Sequence, residues 1–162
     1  MKKVKLHIKK KDLILVVICI ILIEAVGLFS SFLSGDISEE YRLLIKPPFA
    51  PPGMVFKIVL PVLYAMLGVI AAFIYREKSA PSNRAFLWFL IQLLLNFSWS
   101  IVFFNLQTYW IALSLLILLD ILVSHTISLF WKVKKYAALL MILYLIWNLY
   151  AAYLNLGIAL LN

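Results

Sequence analysis

Three ionisable side chains stand inside long apolar runs: Glu24, Asp120 and His125. Charged groups in hydrocarbon are costly, so each is a candidate for function before it is anything else. Asp120 and His125 are five residues apart, which turns them about 140° from each other on a helix and makes them a poor pair. Two carboxyls and one imidazole on separate runs have no metal-ligand spacing. The sequence contains no Ser-His-Asp arrangement, Cys-x-x-Cys or phosphate-binding glycine motif. No metal site and no catalytic group is expected.

Amides and aromatics offer a different chemistry. Asn96, Trp99 and Phe103 follow i, i+3, i+7 and would share one helix face. Tyr144, Trp147, Ala151, Leu154 and Asn155 follow a similar course in a later run. An amide in hydrocarbon needs a partner, either a neighbouring helix or a ligand. A small residue beside a Trp leaves a slot for a flat molecule or lets two helices approach closely. A third feature is the segment Lys46 to Phe56, KPPFAPPGMVF. Its four prolines forbid a regular helix, so it forms a stiff extended lead-in, with the next helix starting near Pro52 to Met54. It reads either as a rigid corner or as a rim over a pocket between helix ends.

The elements that position these groups follow from apolar length. The chain has 162 residues, 65% hydrophobic and 14% charged, with a mean hydropathy of +1.05. A soluble domain has about a quarter charged residues, and one of this size exposes too much surface to hide so much apolar area. A membrane span needs about 20 apolar residues. Five stretches qualify: 13–33, 55–75, 85–104, 109–131 and 136–161. The fold expected is an all-α, integral membrane, five-helix bundle over a single domain, 1–162. The start, MKKVKLHIKKK before an apolar run, is similar to a secretory signal. The run is longer than a signal core and contains Glu24, so a retained span is expected. Pro61 should kink the second span or free a carbonyl. Cys19 lies inside an apolar run and has no partner for an intramolecular disulfide.

The net charge of +8 is clustered between the runs, which argues against nucleic-acid binding. Lys2, Lys3, Lys5, Lys9, Lys10 and Lys11 in the amino tail share one side with Arg76, Lys78, Arg84, Lys132, Lys134 and Lys135. The other side has Arg42 and Lys46, with Lys57 just inside the second span. The expected orientation is amino terminus in the cytoplasm and carboxyl terminus outside. Gly68, Ala71 and Ala72 on the second span, and Ala112 and Ser114 on the fourth, are candidates for a contact between copies.

With these residues in order, the chain resembles the TspO/translocator protein family, the tryptophan-rich sensory proteins. The carrying residues are Lys46-Pro47-Pro48-Phe49-Ala50-Pro51-Pro52-Gly53 with Val55, Phe56 and Tyr64, then Leu95-Asn96-Phe97-Ser98-Trp99 with Phe103-Phe104. Asp120, Tyr144-Leu145-Ile146-Trp147, Leu154-Asn155 and Leu161-Asn162 complete them. The resemblance implies a five-helix bundle, commonly a homodimer, in the plasma membrane of a bacterium. It implies a pocket under the loop between the first two spans for porphyrins such as protoporphyrin IX and haem, with no required cofactor. Carried over by position, the ligand-binding residues are Tyr41, Pro51, Asn96, Trp99, Phe103, Asp120, Trp147 and Ala151. The chain departs from the family pattern at Met54 and Lys57, and at Leu60, near which a pocket Trp is usual. Light-dependent porphyrin degradation implicates such tryptophans, so the resemblance points to a binder in this chain. The alternatives are transport of tetrapyrroles or lipids, or light-dependent degradation of porphyrin.

Overall fold

The computed structural model describes residues 10–162; the expectations that rest on the lysines of the extreme amino tail fall outside them. Six α-helices follow one another: α1 Lys10–Ser34, α2 Ile37–Leu43, α3 Gly53–Arg76, α4 Ala80–Ser100, α5 Tyr109–Val133 and α6 Lys135–Leu161. A π-helical turn, Ile101–Asn105, extends α4. Five helices are long and apolar enough to cross a membrane: α1, α3, α4 with its π turn, α5 and α6. The molecule is an integral membrane helical bundle, and its spans match the five apolar stretches to within a few residues.

The main packing pairs are α1 with α3, α4 with α5, and α5 with α6. The centre is apolar, with Leu67, Ile70, Phe89, Leu119, Val123, Phe130 and Met141 buried. The outside is apolar too: Phe32, Leu28, Leu94, Ile121 and Leu160 are exposed, as a lipid-facing surface requires. Close helix contact rests on small residues. Gly68 lies against the Ile20 backbone of α1, where a Cβ would come within 2.5 Å of its Cα. Ala71, Ala72 and Ala112 are buried within the chain. This corrects their assignment to a contact between copies: they serve the bundle's own packing. Ser114 is exposed, and its hydroxyl bonds the Trp110 carbonyl one turn back.

The basic links lie at one end of the bundle and are tied there by ion pairs. Arg76 reaches Asp12 at 3.0 Å, and Lys134 reaches Glu77. The opposite end carries α2 and the proline segment. α2 was not expected: it lies between the first two apolar stretches. Asp36 starts it: Oδ1 accepts the backbone N–H groups of Ser38 and Glu39 at 3.1 and 3.2 Å, satisfying donors that a helix start leaves free. Lys46 closes it, donating from Nζ to the carbonyls of Tyr41, Arg42 and Leu44. The proline segment is non-helical up to Pro52, and α3 begins at Gly53, inside the expected range. α3 runs unbroken through Pro61. With no N–H at Pro61, the Lys57 carbonyl loses its helical donor.

Candidate functional site

The segment that joins α2 to α3 is clamped onto α6. The Tyr150 hydroxyl donates to the Phe49 carbonyl at 2.9 Å, and Tyr153 donates to that of Pro48 at 2.7 Å. Gly157 lies so close to Pro47 that a Cβ there would come within 2.5 Å of the ring. The Asn162 side chain pairs with both backbone groups of Ile45, at 3.0 and 2.9 Å. Inside this frame the Tyr41 hydroxyl donates to the Pro51 carbonyl at 3.1 Å. Burial pushes the Tyr41 phenol up to about 12, with Tyr150 adding to the effect, so it stays a donor at neutral pH. The corner is rigid, and it also roofs a cavity; the two readings of the proline segment are complementary.

That cavity lies between α3, α4, α5 and α6 and holds only about 50 Å³ of open space. Its walls are aromatic and aliphatic: Phe56, Leu60, Trp99, Phe104, Leu116 and Trp147. Phe56 stands edge-on between Tyr41 and Trp147, with ring centroids at 4.9 and 6.0 Å. Its polar groups fall into two kinds. Some are tied: the Tyr64 hydroxyl donates to Asn96 Oδ1 at 2.8 Å, and Ser100 shares a 2.8 Å bond with Ser34 of α1. Others are open. The Tyr144 hydroxyl and the Asn148 Nδ2 are buried and make no hydrogen bond among the described residues. Asn96 and Asn148 flank that hydroxyl. Such orphaned groups cost about 1–3 kcal/mol each unless a ligand or water meets them.

A smaller chamber with about 20 Å³ of open space adjoins it beneath α2, lined by Tyr41, Phe103, Leu154, Asn155 and Ile158. Phe56, Trp99, Phe104 and Ala151 form the wall between the two. The Trp99 indole N–H donates to Asn155 Oδ1 at 3.1 Å, while Asn155 Nδ2 donates to the Tyr109 carbonyl at 2.9 Å.

Of the expected site residues, Asn96, Trp99, Trp147 and Ala151 meet in the main cavity, and Tyr41 and Phe103 in the side chamber. Pro51 contributes a carbonyl to Tyr41 and lines neither. Asp120 lines neither cavity; it lies one turn beyond Leu116 along α5, and its Oδ1 is buried with no hydrogen-bond partner among the described residues. His125 packs edge-on against Trp88, with centroids at 5.0 Å, away from the cavity. Asn148 was missed by sequence reasoning, although Tyr144 plus four residues would have found it. Phe104 was missed because the π turn adds a residue to the α4 face. Both Phe103 and Phe104 are therefore buried. Asn162, which carries part of the resemblance, is a clamp on Ile45. Among the described residues no cluster of His, Cys, Asp or Glu could hold a metal ion.

The sequence matches the model of the TspO/MBR family over residues 18–161. Among similar proteins is the tryptophan-rich protein TspO of Chlorobaculum tepidum, 36% identical over 155 residues, which span 94% of this chain and 98% of that one. The tryptophan-rich protein TspO of Archaeoglobus fulgidus is 35% identical over 152 residues, spanning 93% and 99%. The tryptophan-rich sensory protein of Cereibacter sphaeroides is 30% identical over 117 residues, spanning 72% and 73%.

Proposed function

The chain belongs to the TspO/MBR family of membrane sensory and translocator proteins, and on that premise we propose that its roofed cavity binds a porphyrin-type ligand. The observation that carries this reading is the union of an aromatic wall with open polar atoms. Trp99, Trp147, Phe56 and Phe104 offer stacking and edge contacts to a flat ring. The Tyr144 hydroxyl, the Asn148 Nδ2 and the Asn96 amide offer it hydrogen bonds. Small-molecule sites have this composition. Their usual space of about 300–1,000 Å³ is far more than the roughly 50 Å³ open here, so a ring as wide as protoporphyrin IX enters only by displacing side chains, Trp147 and Leu60 among them.

The lining of the main cavity contains no His, Cys or Met. Haem is therefore held, in this reading, through its ring and not through a strong axial bond of those kinds. The protein acts as a receptor or sensor in the plasma membrane of a bacterium, as a homodimer, with the Arg76, Lys134 and Lys135 end in the cytoplasm. Protoporphyrin IX titrated into the purified protein is expected to quench tryptophan fluorescence saturably. Trp147→Phe and Asn96→Ala should each weaken the binding about tenfold, the scale of one charge-free contact plus its orphaned partner. Wild-type binding by both variants would remove this cavity as the site.

A further inference from the structure

A second recess of about 500 Å³ opens sideways between α1 and α3, on the face of the bundle that a bilayer covers. Ile37, Phe56, Leu60, Tyr64 and Ser100 separate it from the roofed cavity. Its mouth lies where α1 ends and α3 begins, the level of a lipid headgroup. Two opposite charges stand there. Lys57 is one turn into α3, and among the described residues its ammonium has no ion pair and no hydrogen bond. Asp36 follows α1; its Oδ1 is engaged in capping α2, and among the described residues its Oδ2 has no partner. Both line one recess, yet no ion pair within 4.0 Å joins them. Pro61 adds a Lys57 carbonyl deprived of its helical donor. Below the mouth the walls are Leu28, Leu60 and the Gly27 backbone, with Glu24 roughly 15 Å beneath Ser34 at 1.5 Å per residue, under headgroup depth.

We propose that this recess is a phospholipid site selective for a zwitterionic head with a primary ammonium, as in phosphatidylethanolamine. The phosphate sits on Lys57, whose long stem brings its charge to headgroup level. The ammonium donates to Asp36 Oδ2 and to the free Lys57 carbonyl. One acyl chain runs down between α1 and α3. A choline head has no N–H to donate, and a glycerol head has no cation for Asp36, so both lose the second contact. The site is separate from the porphyrin cavity and stands whether or not that cavity binds porphyrin.

The test is native mass spectrometry of the full chain in detergent, titrated with phosphatidylethanolamine, phosphatidylcholine and phosphatidylglycerol of equal chain length. Phosphatidylethanolamine should be retained about tenfold better than either, the scale of one charge-assisted hydrogen bond. Asp36→Asn keeps a side-chain oxygen for the α2 cap and should reduce phosphatidylethanolamine to the phosphatidylcholine level. Asp36→Ser, which caps without charge, should do the same. Lys57→Gln should weaken all three lipids. Equal retention of the three by wild type, a preference for phosphatidylglycerol, no retention, an unchanged preference in Asp36→Asn, or undiminished retention in Lys57→Gln would each overturn the proposal.

Discussion

The indole of Trp99 and the amide of Asn155 are joined across the bundle by a 3.1 Å hydrogen bond from α4 to α6. The same amide reaches on to the Tyr109 carbonyl at the start of α5. One side chain thus ties three helices at the depth where the main cavity meets the side chamber. A half-buried indole is best satisfied by such an acceptor, and Asn155 supplies it with almost no exposure of its own. The wall that a ligand would stack on is fixed by a bond that a ligand need not break.

Asn155→Leu removes both bonds and leaves Trp99 Nε1 and the Tyr109 carbonyl without partners. The expected loss of stability is about 1–3 kcal/mol by the cost of orphaned polar groups. Trp99→Phe in the Asn155→Leu background should add little more than packing. Thermal or denaturant unfolding in detergent checks this through a double-mutant cycle, where a coupling of about 0.6–1.7 kcal/mol is the range for membrane hydrogen bonds. Zero coupling would mean that the bond does not hold the wall.

The tie between Tyr64 and Asn96 depends on Gly27 of α1. A Cβ at Gly27 would overlap the Tyr64 ring, and a ring on a long side chain yields before a backbone does. Gly27→Ala is expected to swing Tyr64 away and break its 2.8 Å bond to Asn96. Tyr64→Phe removes that bond without moving the ring. Both should cost about 1 kcal/mol of stability, within the span of single membrane hydrogen bonds. Only Gly27→Ala should also reshape the wall shared by the roofed cavity and the lateral recess. Porphyrin titration separates them: weaker binding in Gly27→Ala than in Tyr64→Phe is the expected order, and equal binding contradicts a role for ring position.

The clamp on the proline segment is open to a local measurement. Between Pro47 and Pro52 only Phe49 and Ala50 carry backbone N–H groups, and Ala50 N–H bonds the Pro47 carbonyl at 3.3 Å. Gly157→Ala would push on Pro47 and pull the segment from Tyr150 and Tyr153. Hydrogen exchange at Ala50 should rise about tenfold if one hydrogen bond's worth of local stability is lost. The double change Tyr150→Phe, Tyr153→Phe should act in the same direction. Unaltered exchange in both variants would show that the prolines alone hold the roof.

The five spans were legible because each apolar run is long enough to cross a bilayer, and the charged links between them left no other partition. The faces of α4 and α6 were legible as well: Asn96 and Trp99 meet in one cavity with Trp147 and Ala151. Three things were hidden. The π turn at Ile101–Asn105 carries no compositional mark, so a period of 3.6 put Phe103 on the face and left out Phe104. α2 has a cap signal, Asp36 with Glu39 three residues on, but seven residues between prolines and a glycine give no hydrophobic period to read. Asp120 was placed with the ligand by resemblance. A residue one turn from a cavity wall looks the same in sequence as one on it.

The last prediction concerns Leu60, which lines both the roofed cavity and the lateral recess. A branched aliphatic side chain there can pack against a ring but cannot exchange an electron with it, whereas indoles can. The roofed cavity already contains Trp99 and Trp147, so the matter is whether these suffice for light-driven chemistry on a bound porphyrin. Protoporphyrin IX bound to the wild-type protein is expected to bleach under illumination no faster than the free compound in the same detergent. Leu60→Trp adds a third indole at the partition. Filling that position costs about 1–3 kcal/mol as overpacking, so thermal stability should fall while the fold persists. Fluorescence quenching by the ligand should deepen, because another donor stands against the ring. If bleaching by the wild type is fast and Trp147→Phe slows it, the protein is an enzyme and the binder reading fails. If bleaching becomes fast only in Leu60→Trp, one side chain on α3 separates binding from turnover.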